Sequence, residues 1–117
     1  WGTAPGGWTP DELEERARGA VGGPARRVGA GPAEVRRVGV VTGGGASFLE
    51  DAHRAGLDAL VTGEGAHHTF TDAHELGVHL VLAGHYATET FGVKALAAHL
   101  ADRFDLSWTF LDHPSGL

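Results

Sequence analysis

From Val35 onward the chain repeats one design: a short apolar run, a glycine, then a stretch with helical spacing. Val38-Gly39-Val40-Val41-Thr42 is rich in β-branched residues and ends in Gly43-Gly44-Gly45. Leu57 to Thr62 ends in Gly63-Glu64-Gly65, and Val78 to Ala83 ends in Gly84-His85. Ser47-Phe48-Leu49-Glu50 reads as a capping box opening a helix that Gly56 closes. A second helix is expected from about Ala66 to Leu76, closed by Gly77. A longer one is expected from Thr88 to about Arg103, burying Phe91, Ala95, Leu96, Leu100 and Phe104 on one face. Strands alternating with helices mean βαβ units. The expected class is therefore α/β, a mainly parallel sheet with flanking helices, and Ser107 to Leu111 reads as its last strand.

Residues 1–34 read differently, as a leader ahead of an α/β domain over residues 35–117. WGTAPGGW at the front has no period and three glycines, and reads as a frayed leader or the remnant of a linker. Thr9-Pro10-Asp11-Glu12 is a helix start: threonine caps, proline suits the first helical position and Glu12 completes a capping box. That helix is expected to reach about Gly19. Gly22-Gly23-Pro24 breaks it, Arg26 to Gly29 reads as a short strand, and Gly31-Pro32 as a turn.

Composition excludes several classes. The net charge is -6 and the pI about 5.7, and the arginine pairs Arg26-Arg27 and Arg36-Arg37 are too short for a nucleic-acid footprint. No apolar run approaches the roughly 20 residues of a membrane-spanning helix. The first residues lack the layout of a signal peptide. The chain has no cysteine, hence no disulfide framework or thiolate site, and a cytoplasmic location is expected. It also has no methionine, and with Trp1 in front it reads as a processed or trimmed chain.

Its eight histidines invite a search for ligands. Gly56-Leu57-Asp58-Ala59-Leu60-Val61-Thr62-Gly63-Glu64 echoes Gly77-Val78-His79-Leu80-Val81-Leu82-Ala83-Gly84-His85 position for position. Glu64 and His85 thus hold equivalent places, each just past a strand. In an open α/β sheet, ligands bind outside those carboxyl ends. His85 and Glu89 are four apart, an imidazole and a carboxylate suited to a divalent ion such as zinc, manganese or iron. On spacing alone they read more readily as a polar turn residue and a carboxylate favoured by a helix start. Glu64, His67 and His68 form a second group. Adjacent histidines point about 100° apart, so they rarely share one ion; one of them with Glu64 can serve as an acid–base pair, or all three simply as a polar helix start. Gly43, Gly44, Gly45 and Ser47 form a third, able to cradle a phosphate on backbone N–H groups or to make a tight turn. Trp8, Trp108 and Tyr86 are pocket or core candidates. His53, His74, His79 and His99 carry no spacing argument.

These motifs together resemble the NIF-three-like family. Thr62-Gly63-Glu64-x-x-His67-His68 is followed about twenty residues later by Gly84-His85-Tyr86-Ala87-Thr88-Glu89, and Gly43-Gly44-Gly45-Ala46-Ser47 resembles the family's glycine-serine turn. Members are described as dinuclear-metal-centre hexameric proteins and carry the label GTP cyclohydrolase I type 2. The resemblance covers about residues 35 to 112 and implies one half of a two-half α/β fold. It implies metal binding by His85 and Glu89 at a two-ion site, assisting roles for Glu64 and His68, hydrolysis of a small nucleotide-like substrate such as GTP, and a homo-hexamer. The family's other ligands lie in an N-terminal half with a histidine pair followed by proline and a separate aspartate. Here His113-Pro114 is a single histidine at the wrong end, so the chain reads as a C-terminal half with an incomplete ligand set. The alternative is a non-catalytic assembly or partner-binding module.

Overall fold

The computed structural model describes residues 1–115. Five strands form one sheet: β1 (Gly2–Trp8), β2 (Arg26–Val28), β3 (Val35–Val41), β4 (Ala59–Thr62) and β5 (His79–Leu82), in the order β1-β3-β4-β5-β2. The helices are α1 (Pro10–Val21), α2 (Leu49–Arg54), α3 (Thr69–Leu76) and α4 (His85–Phe104), with a 3-10 turn over Gly45–Phe48. The α/β class stands. β3, β4 and β5 run parallel, with Val41, Thr62 and Leu82 in one cross-strand row, and β1 and β2 add antiparallel at the two edges.

The core lies on both faces of the sheet. On one face Leu13 and Ala17 of α1 pack with Val35, Val38, Ala59 and Val81. On the other, Leu49 and Ala52 of α2 and Ala73 of α3 pack with Leu60, Leu80 and Val78. β5 is covered on both sides: His79, Leu80 and Val81 are all buried, which is why this strand reads as continuous rather than alternating. His79 is held by polar contacts inside that cover. Its Nδ1 accepts from the Gly31 N–H at 3.4 Å, so Nε2 carries the proton donated to the Pro32 carbonyl at 2.9 Å.

Four sequence expectations need correction. Residues 2–8 do not fray: β1 pairs with β3, with an irregular register between Thr3 and Trp8. Pairing there needs only backbone N–H and C=O groups, so a glycine-rich segment without periodicity can supply it. The capping box expected at Ser47 does not form at α2. Ser47 lies inside the 3-10 turn, and neither that turn nor α2 has a side-chain cap. Ser107 to Leu111 has no regular secondary structure and belongs to no strand of the sheet. This tail runs back along α4, tied where the Tyr86 hydroxyl donates to Asp112 and accepts from the His113 N–H, with Lys94 stacked over Phe110.

The fourth concerns α4, which begins at His85 rather than Thr88. It meets the body through its first turn, where Thr88 is buried. Phe91, Ala95, Leu96, Leu100 and Phe104 are all exposed. At 100° per residue, Leu96 and Leu100 sit about 140° and 180° round the helix from Phe91, so the set does not form one face. The α1 capping box is present as expected, with Glu12 N–H donating to Thr9 Oγ1 and Thr9 N–H to Glu12. Its helix runs on to Val21, stopped by the left-handed Gly22.

Candidate metal centre at the carboxyl edge of the sheet

The three parallel strands end in glycines that continue the ladder outward. The Gly63 N–H donates to the Gly43 carbonyl and the Gly84 N–H to the Gly63 carbonyl, each at 2.9 Å. Two buried threonines lock these ends. Thr62 Oγ1 accepts from the Gly45 N–H and donates to the Gly43 carbonyl. Thr88 Oγ1 accepts from the Gly43 N–H and turns its proton toward the Gly84 and His85 carbonyls. Gly84, with φ of 90°, turns the chain from β5 into α4 and puts His85 at the first helical position.

Glu64, His85 and Glu89 meet on this platform. His85 Nδ1 is 2.8 Å from Glu64 Oε1, and His85 Nε2 is 3.4 Å from Glu89 Oε1. Glu89 reaches the imidazole because it follows one helical turn later on the same face. Glu64 reaches it because β4 and β5 are parallel neighbours, which brings the two equivalent strand ends together. The hydrogen bond to Glu64 raises the His85 pKa above the ordinary imidazole value of 6.5, and the Glu89 charge adds to it. Glycine at position 43 is what leaves room: a Cβ there would lie 2.6 Å from Glu89 Oε1 and 3.1 Å from His85 Nε2.

The other candidates separate. Gly44 and Ser47 line an open cleft of about 710 Å³ beside the site, together with Glu64 and His68. His68 is largely exposed there, 3.9 Å from Asp72. His67 faces a different cleft, with Arg26 and Phe70, so the adjacent histidines do part. The N–H groups of Gly43 and Gly45, on which a phosphate cradle would draw, are engaged by Thr88 and Thr62. Sequence reasoning missed both threonines. Their only signal was a polar residue closing the apolar run of β4, and one three positions after His85.

The donor set can be tested against a metal ion. With Nδ1 turned to Glu64, His85 presents Nε2 toward Glu89. Two ligands at the usual 2.0–2.1 Å from one tetrahedral zinc stand roughly 3.4 Å apart, the separation found here. Glu64 fits the carboxylate that orients a ligating imidazole from behind. The pair fits as part of a ligand set. Among the described residues, no group of three or more His, Cys, Asp or Glu is arranged to hold an ion.

A mainly parallel α/β sheet with an oriented imidazole and a carboxylate at its carboxyl edge is an open-sheet α/β architecture. More narrowly, the chain belongs to the Duf34/NIF3 (NGG1p interacting factor 3) family, whose pattern matches residues 4–115. It is 49% identical over 89 residues to a GTP cyclohydrolase 1 type 2 homolog of Deinococcus radiodurans, covering 76% of this chain and 34% of that protein. A protein of the same name from Halobacterium salinarum is 51% identical over 94 residues, 80% of this chain and 37% of the relative. Among solved structures, the protein ybgI, described as of unknown function, superposes with a TM-score of 0.86 at 40% identity, over 93% of this chain and 44% of that one. The chain thus spans about a third of the length of these curated relatives. No helix among the described residues is long and apolar enough to cross a membrane.

Proposed function

We propose that this chain is the C-terminal part of a divalent-metal-dependent hydrolase, in which His85 and Glu89 are ligands and Glu64 orients His85. The observation that carries the reading is the 3.4 Å separation of His85 Nε2 from Glu89 Oε1, with Nδ1 already committed to Glu64. A bound zinc, manganese or iron ion would supply Lewis-acid polarisation and charge neutralisation at the carboxyl edge of the sheet. A catalytic zinc takes about three protein ligands, so further ligands, and the second ion that the family resemblance implies, call for donors from outside this stretch. His68, in the cleft that Glu64 also lines, would bind or exchange a proton with a small molecule seated there. The names of the relatives make GTP the first substrate to try. A cytoplasmic setting completes this reading.

The test is metal stoichiometry. Zinc or manganese is added to the 117-residue chain, excess is removed by desalting, and bound metal is counted by elemental analysis. Uptake is expected in the wild type and to be lost in His85→Ala and Glu89→Ala. Equal uptake by all three proteins refutes the assignment.

One observation favours a second element of function, assembly. Val93, Leu96, Leu100 and Phe104 of α4 and Leu106, Trp108 and Leu111 of the tail are exposed apolar side chains on one arm of the molecule. Such surface commonly marks an interface. The homo-hexamer implied by the resemblance is a form this arm would serve, and sedimentation of a family-length protein tests it. A monomer would count against it.

A further inference from the structure

The chain has nine lysines and arginines, and eight of them have a carboxylate or an aromatic ring beside them. Arg18, Arg27, Arg36 and Arg54 each pair with carboxylates. Arg16, Arg37, Lys94 and Arg103 each lie over an aromatic ring. Among the described residues only Arg26 has neither kind of partner.

Its position gives that fact meaning. Arg26 pairs with Leu82 across the β2–β5 ladder, and Leu82 with Thr62. Arg26 therefore stands in the last row of the sheet before the glycines, three residues short of His85 along β5. At about 3.3 Å per residue, that is on the order of 10 Å from the proposed metal edge. It lines a cleft of about 330 Å³ with Val28, His67, Thr69, Phe70 and Leu82, and no carboxylate lines that cleft. The neighbouring cleft, across the Gly65-Ala66 segment that both share, is lined by Glu50, Glu64, Asp72 and Glu75 and by no lysine or arginine. An anion is repelled from the acidic cleft and attracted to the Arg26 cleft. A guanidinium presents a planar fork of donors matched to the oxygens of a phosphate, and the His67 imidazole can add another N–H.

We propose that the Arg26–His67 cleft is an oxyanion subsite that seats the phosphate of a ligand whose other end lies at the carboxyl edge of the sheet. The cleft stands on its own residues. Only its link to a substrate rests on the hydrolase reading above.

The test is a phosphate titration of the metal-free chain, followed by NMR of the His67 ring and the Gly65 and Ala66 amides. Inorganic phosphate is expected to shift these signals saturably. Arg26→Gln should raise the Kd by about tenfold or more. Arg36→Gln, which removes the same charge from an exposed, paired arginine, should leave it unchanged. No saturable shift, or equal Kd in wild type and Arg26→Gln, overturns the proposal. Repeating the titration with guanosine monophosphate names the source: tighter binding than phosphate supports a substrate-borne phosphoryl group, and equal binding supports free phosphate. Zinc uptake by Arg26→Gln is measured on the same samples and should match wild type. Phosphate binding lost with zinc uptake intact separates the subsite from the metal pair. Failure of phosphate to bind a chain that still takes up zinc removes the subsite alone.

Discussion

Replacing Gly43 by alanine separates two roles of one glycine. Gly43 has φ of 66°, and alanine in that left-handed region costs about 1–2 kcal/mol. The same backbone cost arises at Gly22, with φ of 65°, where a Cβ would meet nothing within 4 Å. At Gly43 the new Cβ would lie 2.6 Å from Glu89 Oε1 and 3.1 Å from His85 Nε2. Glu89 is exposed and can swing away at little cost to folding, but doing so removes it from His85. Both variants should therefore lose about 1–2 kcal/mol in urea unfolding, a fall in Tm of roughly 4 °C or more per kcal/mol. Zinc affinity, by competition with a chromogenic chelator, should fall at least roughly tenfold in Gly43→Ala and stay unchanged in Gly22→Ala. Equal zinc affinity in the two variants would refute the argument that position 43 is glycine to leave room for the ligand pair.

Three further outcomes follow from the same geometry. His85, titrated by NMR, should show a midpoint above 6.5, and Glu64→Gln should bring it down, since the Glu64 hydrogen bond is the main cause of the rise; an unchanged midpoint refutes that cause. Because the folded value is raised, the stabilisation from this pairing is full below pH 6.5 and fades as pH rises through the His85 midpoint. Metal uptake runs the opposite way, strengthening as His85 loses its proton. Thr62→Val keeps the shape of a fully buried side chain but orphans the Gly45 N–H, at a cost of about 1–3 kcal/mol in urea unfolding; a change under about 0.5 kcal/mol would mean that the N–H finds another partner. Leu96→Ala should change stability by less than about 0.5 kcal/mol, because Leu96 is 57% exposed. A loss of about 2–5 kcal/mol, the range for a core leucine, would place α4 against the body instead.

Much of the edge was legible in advance because strand–glycine–helix units carry their own punctuation. The echo between residues 56–64 and 77–85 put Glu64 and His85 at equivalent strand ends, and parallel pairing of β4 with β5 brings them within 2.8 Å. The α1 start was legible because capping is local, a matter of Thr9 and Glu12 alone. The same rule misled at Ser47, because it lies inside a 3-10 turn that starts at Gly45, whose N–H is held by Thr62. The glycine-rich loop could be read as a phosphate cradle only until Thr88 and Thr62 were seen to occupy its N–H groups.

The sequence by itself determined the class of fold, the order of its units and the chemical types gathered at one edge. These follow from local periodicity and from backbone freedom that only glycine has. Tertiary structure decided what depends on partners distant in the chain. It made residues 2–8 a strand, because β3 offered an open edge. It placed Arg26 in the row that leads to His85, because β2 adds antiparallel to β5. It left Leu96, Leu100 and Phe104 of α4 exposed, because burial requires a surface to pack against, and the buried contact of this helix with the sheet is at Thr88 in its first turn.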